Sequence, residues 1–487
     1  MNQMKKTIYT LIGIAIMLLG FFVPEGAVIT QTGMRVLFIF IGTLFLWTAV
    51  GGPWVSVLSI TMIGFSGYTE TFGAAFTKAL GDETILMTMF MFVLFAGGLA
   101  ESGCMQYVTR WVLTRKFIAG KPYVMLAAIA ICSYALAFVA NQMVSAIIMI
   151  AVVAALCETV GIEHGKDKVW IYLFGMILLG AGIGQPGFVY KGIGLTMINV
   201  FTKVSEGAYV ISPNGYMIYN VIMSMILIVT MLALIKFVFR PDMSKLKAVT
   251  VDVMKQASDL PPISKQQKCW LWVLVLFLVL AILPNIGSLG KLPIISTLKT
   301  INVIGISALF VVVLSIVKVD GEPMLQFQKA ATKGIVWNVL FMVASGMMLG
   351  QAIGNADLGI ITAIKQWLQP ILAGKPTLLV VFIIYLAALL ITQFAVNLAM
   401  AIALMPIVVA CSASLGLNPA PIALGVMMIC FIAMMTPAAS PLSAFCYGQD
   451  KYFSAKEIQS YAIPLSLIAV VIFTFIGYPL AAICVGI

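Results

Sequence analysis

Apolar runs of roughly 17 to 23 residues follow one another along almost the whole chain, and each is long enough to cross a hydrocarbon core about 30 Å thick. No soluble core can hide that much apolar sequence. Of 487 residues 62% are hydrophobic and only 9% are charged, whereas a soluble domain carries about 25% charged residues. The chain is therefore read as a polytopic membrane protein of the all-α class.

A window of about 19 residues places helix candidates near 7–23, 34–51, 53–67, 84–102, 169–202, 216–238, 269–284, 300–317, 334–352, 418–448 and 461–484. That is about eleven crossings. Two further apolar blocks, 122–157 and 376–416, carry polar residues near their middles. The net charge of +11 comes from Lys and Arg scattered through short loops, with no basic stripe of the kind that binds nucleic acid. Arg110 to Lys121 and Arg240 to Lys268 hold the basic clusters, and the positive-inside rule makes both cytoplasmic. This predicts an inner-membrane protein with its N-terminus inside and its C-terminus outside. The first apolar run, Ile8 to Phe22, follows Lys5 and Lys6 without an evident cleavage site, and is expected to be retained. Cys132, Cys157, Cys411, Cys430 and Cys484 lie inside apolar runs; without metal-ligand spacing they are packing residues.

The chain also repeats itself. Glu101 to Gly120 is amphipathic and runs into Lys121-Pro122; Asn355 to Gly374 does the same and runs into Lys375-Pro376. About twenty residues past each Lys-Pro stands an Asn in apolar surroundings, Asn141 and Asn397. About 45 residues further comes a Gly/Pro break, Gly180 to Gly187 and Met435 to Pro441. An odd number of crossings separates the two units, so the repeats are inverted. In such folds the site lies near the midplane, where broken helices free backbone groups for ligands. The blocks 122–157 and 376–416 then become two re-entrant hairpins turning at their Asn residues. Neither 122–157 nor 376–449 contains a single Asp, Glu, Lys or Arg. One Asn in a membrane helix is commonly glue between helices; two at matched positions point to a site. Lys191 lies within an apolar helix near the first break, and either snorkels to an interface or faces an anion. Gly346 and Gly350 fit helix packing.

These landmarks resemble the divalent anion:sodium symporter family of the ion-transporter superfamily, over about residues 34–484. In that family each hairpin tip reads Ser-Asn-Thr and each broken helix a Gly/Ser-Thr-Pro-Pro type of turn. Here the tips read Ala140-Asn141-Gln142 and Val396-Asn397-Leu398, and the turns Gly184-Gln185-Pro186-Gly187 and Ala439-Ser440-Pro441-Leu442. The Asn and the first Pro are kept; the flanking hydroxyls are replaced. The resemblance implies substrate contacts at Asn141, Gln142, Gln185, Pro186, Asn397, Leu398, Ser440 and Pro441. It implies sodium ligands at Asn141, Gly184, Thr392, Ala395, Asn397 and Ala439. It further implies a homodimer working as an elevator, with scaffold helices in 1–121 and 269–375, transport units in 122–238 and 376–487, and a cytoplasmic linker over 239–268. Sodium is the expected coupling ion and no cofactor is expected.

A membrane enzyme would need paired Asp, a Ser/His pair or His ligands, but the one histidine, His164, sits in a charged loop. A primary pump would need a Gly-rich Lys loop, and the sequence has none. Proton coupling usually employs a carboxylate or His inside the membrane, which the candidate site lacks. The expected function is sodium-coupled symport of a small organic anion such as a carboxylate. An anion exchanger or proton-coupled permease of the same fold stays open, as does a channel built from uncharged hairpins.

Overall fold

The computed structural model describes residues 3–81, 83–139, 141–191, 193–253, 261–282, 293–372, 374–393, 397–436, 439–447 and 452–485. Helices begin where the sequence supplies an oxygen to cap their free N–H groups. The chain opens with α1 (Gln3–Leu19), α2 (Gln31–Ala49), capped by Thr30, and α3 (Pro53–Ser66). Pro53, Pro213 and Pro419 all occupy the first helical turn, where no N–H is needed. The first half continues with α4 (Phe72–Leu80), α5 (Glu83–Met91, wound on as π-turns Phe92–Ala100) and α6 (Cys104–Leu113). Then come α7 (Pro122–Val139), α8 (Gln142–Val160), α9 (Val169–Gly184), α10 (Ile193–Val204) and α11 (Pro213–Leu234).

After the short α12 (Ser244–Lys247), the second half holds α13 (Lys265–Ile282) and α14 (Pro293–Ile316). A two-stranded antiparallel turn (β1, Lys318–Val319; β2, Glu322–Pro323) leads to α15 (Phe327–Gly334), α16 (Trp337–Gly354) and α17 (Ile360–Leu372). The chain ends with α18 (Thr377–Thr392), α19 (Asn397–Ser414), α20 (Pro419–Ile429), α21 (Pro441–Tyr447), α22 (Ala455–Ile472) and α23 (Tyr478–Cys484).

Six of the described helices are long and apolar enough to cross a membrane, or seven if the bent pair Thr88–Ala100 and Cys104–Val112 is one span. Three of the six, Pro122–Val139, Gln142–Val160 and Asn397–Ser414, are hairpin arms outside the expected eleven. Of the eleven, several form apolar helices of only 10–17 residues, such as Gln31–Trp47 and Pro53–Ser66, while others are divided. The run near 169–202 becomes α9 and α10, and that near 418–448 becomes α20 and α21. α4 and α15 lie in segments where no helix was expected.

Burial sorts the helices into centre and rim. In α19, 78% of the apolar window is buried, against 33% for Pro213–Phe239 and for Ala455–Cys484; the first faces protein and the other two expose wide apolar flanks suited to lipid. α9 is buried without interruption from Leu173 to Gly184. Gly180 and Gly184 explain how: a Cβ on either would collide with the carbonyl of Ala130 or Tyr134 on α7. Small residues one turn apart let two membrane helices touch backbone to backbone. Gly346 and Gly350 make room instead for side chains, of Ile402 of α19 and of Val200 and Val204 of α10.

The same contacts recur in both halves. α7 packs on α8 and α9, as α18 packs on α19 and α20. α10, past the first break, touches α19, and α21, past the second, touches α8. Each broken helix therefore ends against the second arm of the other half's hairpin. The first hairpin is also fastened from within, Ser145 Oγ donating to Ser133 O at 2.7 Å and Ser133 Oγ to Ile177 O at 2.7 Å.

The linker is ordered where it meets this hairpin. Lys245 Nζ donates to Gly161 O and to Asp167 Oδ2, both at 2.7 Å. Gly120 N donates to Val249 O at 2.9 Å. Leu246, between them, is fully buried. Residues 245–249 thus hold both ends of the α7–α8 hairpin. His164 Nε2 meets Glu457 Oε2 at 2.8 Å, joining the loop after the first hairpin to the start of α22.

Candidate functional site

At the first hairpin tip Asn141 stands in extended geometry and caps α8, its Oδ1 accepting from Val144 N at 2.9 Å. The helix breaks next to it: α9 runs through the glycines to Gly184, and Gln185-Pro186-Gly187 follow as a turn. Gln185 then reaches back, its Oε1 accepting from Gln142 N at 2.7 Å. One amide of the break therefore caps the hairpin tip.

A broken helix frees carbonyls that must be paired or wetted. In the first break α11 supplies the donors. Tyr216 OH donates to Pro186 O at 3.0 Å, and Asn220 Nδ2 to Ile183 O at 3.4 Å. Tyr134 OH donates to Asn220 Oδ1 at 2.9 Å, which fixes that amide's orientation. Gly184 O accepts from Gly187 N at 3.1 Å within the turn.

The second tip is built from the other direction. Gln393, at the end of α18, sends its Oε1 to Met435 N in the break at 2.9 Å and its Nε2 to Leu389 O at 3.0 Å. Thr436 Oγ1 donates to Gln393 O. The freed carbonyls are again paired: Ala433 O with Ser443 Oγ at 3.2 Å, and Met435 O with Tyr447 OH at 2.7 Å. Ser440 Oγ caps α21 by accepting from Ser443 N at 3.0 Å.

Beside this tip three oxygens share one proton. Thr392 Oγ1 lies 3.1 Å from Cys430 O and 3.4 Å from Asn397 Oδ1. A hydroxyl donates once, so Thr392 serves one of the two oxygens at a time. Thr392 is fully buried and Asn397 is 3% exposed. A buried cluster of hydroxyl, amide and carbonyl oxygens suits a hard cation.

Of the expected residues, the structure thus brings Asn141, Gln142 and Gln185 together at one tip and Thr392 with Asn397 at the other. Gly184 and Pro186 adjoin Gln185 in sequence, but Gly184 is the last residue of α9 and serves close packing. Leu398 and Ser440 are each 4% exposed, Ala439 is fully buried and Pro441, opening α21, is exposed. Ala395 lies outside the described residues. Lys191 is not inside a helix as expected: it ends the 3-10 turn Val189–Lys191 in the break itself. Gln393, Thr436 and the carbonyl of Cys430 were not foreseen. Gln393 was findable, as a polar residue in an apolar run next to Thr392; a backbone carbonyl leaves no mark in a sequence.

The tips carry no formal charge, and the polar inventory is amide, hydroxyl and backbone. The N–H groups of Gln142, Val144 and Met435, which face outward from helix starts or breaks, already hold side-chain oxygens. The amide side chains therefore cover the helix-end N–H groups.

A family model described as the sodium:sulfate symporter transmembrane region matches residues 4–484. The uncharacterized transporter YfbS of Escherichia coli K12 is 26% identical over 144 residues. That match spans 30% of this chain and only 23% of YfbS. Among solved structures, the YdaH transporter of Alcanivorax borkumensis superposes with a TM-score of 0.55 at 11% identity, covering 97% of this chain and 98% of that one. MtrF of Neisseria gonorrhoeae, described with a class of antimetabolite efflux pumps, gives 0.55 at 14% identity, covering 98% and 97%. At such identities the likeness is one of fold alone.

Proposed function

The chain belongs to the sodium:sulfate symporter family, and from that premise we propose that it is a sodium-coupled symporter of a small organic anion, a carboxylate. The observation that carries this reading is the buried oxygen cluster of Thr392, Asn397 and Cys430 O, within a segment devoid of ionisable side chains apart from Cys and Tyr. An anion entering between hairpin tips that carry no Arg or Lys needs its charge offset. A co-bound sodium does this and ties the two fluxes together. Asn141, Gln142, Gln185, Asn397 and Ser440 contact the substrate, and Asn141, Thr392 and Asn397 share in holding sodium. The protein works in the inner membrane as a homodimer, the units 122–238 and 376–487 moving against the helices of 1–121 and 269–375. The crossed contacts of α10 with α19 and of α21 with α8 support movement of the two hairpins as one body.

Favourable coupling of about 1 to 3 kcal/mol raises anion affinity roughly 5 to 150-fold when sodium is present. Purified protein in proteoliposomes with an imposed sodium gradient is expected to accumulate a labelled carboxylate, and replacing sodium by choline or potassium is expected to stop it. Undiminished accumulation without sodium, driven by a proton gradient or by counter-anion, would instead assign a proton-coupled permease or an exchanger.

A further inference from the structure

The polar atoms around the first hairpin tip do not balance. Asn141 Oδ1 holds Val144 N–H and Gln185 Oε1 holds Gln142 N–H, but the side-chain oxygen of Gln142 is buried without any partner. Gln142 as a whole is 8% exposed. A desolvated acceptor left unpaired is a standing cost that structures rarely tolerate outside functional positions. At the positive start of α8 the helix dipole favours the oxygen over the NH2 group in this place. At the matched position of the second hairpin stands Leu398, 4% exposed, which asks for nothing. The two tips are therefore chemically unequal, and the inequality sits at one amide oxygen.

We propose that Gln142 is a specificity residue that selects anions carrying their own hydrogen-bond donor, a hydroxyl or N–H beside the carboxylate. This rests on the carboxylate reading above and narrows it. A sulfate or an unsubstituted dicarboxylate brings acceptors only, and leaves the Gln142 oxygen as unpaired as before. A hydroxyl on the substrate donates to that oxygen while its carboxylate takes the remaining amide N–H groups of Asn141 and Gln185. Sites built to pair a substrate hydroxyl reject the analogue without it far more strongly than apolar pockets discriminate a methylene.

Sodium-driven uptake of two labelled acids that differ by one hydroxyl, malate and succinate, tests this in proteoliposomes of the wild type, Gln142→Leu and Gln142→Thr. The wild type is expected to prefer malate by about tenfold or more. The preference is expected to fall to within about twofold in Gln142→Leu, which has no acceptor, and to stand between the two in Gln142→Thr, whose hydroxyl accepts. Thermal unfolding in detergent confirms that each variant is folded, and the threonine variant carries the test if the leucine variant is not. Equal uptake of both acids by the wild type overturns the inference alone, as does a preference that survives in a folded Gln142→Leu. Uptake of neither acid overturns the carboxylate reading and this inference with it.

Discussion

The two halves of the molecule solve one problem with opposite deliveries. In the first, the break supplies the amide and the hairpin tip receives it: Gln185 holds the N–H of Gln142. In the second, the hairpin supplies the amide and the break receives it: Gln393 holds the N–H of Met435. The freed carbonyls differ in the same way. Those of the first break are paired by a neighbouring helix, through Tyr216 and Asn220 of α11. Those of the second are paired largely from within, through Ser443 and Tyr447 of α21. The repeat is conserved between the halves as backbone geometry and as polar bookkeeping, and not as side-chain identity at fixed positions. A broken helix in a membrane imposes the count of donors and acceptors; it leaves open which element provides them.

The largest effect is expected where the halves agree. Asn141→Ala and Asn397→Ala are each expected to cut uptake to background while the protein still inserts, because each removes an amide from a tip that has no charge to fall back on. Wild-type transport by both variants would break the equivalence of the tips and the site with it.

A smaller effect separates them. Gln393→Leu strands the N–H of Met435 and also loses the bond to Leu389, so a loss of about 2 kcal/mol is expected; Gln185→Leu strands a single N–H, for about 1 kcal/mol. Chemical unfolding of the two variants in detergent measures the order. The reverse order would mean that the first break, with its donors from α11, is the more tightly determined of the two.

The smallest expected effect concerns the hairpin bases. The first is tied to the linker through Lys245, whereas the described hydrogen bonds at the end of the second, around Ser412 to Ala420, stay within their own turn. The Lys245 ammonium, joined by the N–H of Glu163, holds the Asp167 carboxyl below the usual carboxylate range. Folding therefore favours the ionised form. Its contribution is present above about pH 4 and is lost as the pH falls through the lowered value. Lys245→Ala is expected to cost below about 1 kcal/mol at pH 7 and to flatten the acid side of the stability profile. Hydrogen exchange in 161–168 rising in this variant, with 412–420 unchanged, would sharpen the contrast; equal change at both would erase it.

Much of this was legible beforehand, for definite reasons. Apolar length announces a membrane helix, and Asn141 and Asn397 announced the tips because a polar residue in an apolar run must find a partner. The break after Gly184 was placed by Pro186, which has no N–H to give. The glycines before it were misread, as part of the break: Gly180 and Gly184 permit contact with α7, and helical glycine in a membrane reads the same in a sequence whether it loosens a helix or docks one. Lys191 was set in a helix because the run around it is apolar, although the turn Val189–Lys191 interrupts that run. Gln393 and the Cys430 carbonyl escaped for a different reason, since their roles depend on which distant backbone atoms arrive beside them.

The fastening of the first hairpin to residues 245–249 has a further consequence, for the chain as a tether. Only residues 250–264, fifteen in number, remain between the held Val249 and the start of α13 at Lys265. A chain of that length spans on the order of 50 Å when drawn straight, and less wherever it is coiled. The first turn of α13 must therefore stay within that radius of the hairpin base throughout any rearrangement, and shortening the tether residue by residue becomes a ruler for how far the proposed movement carries the first hairpin from α13.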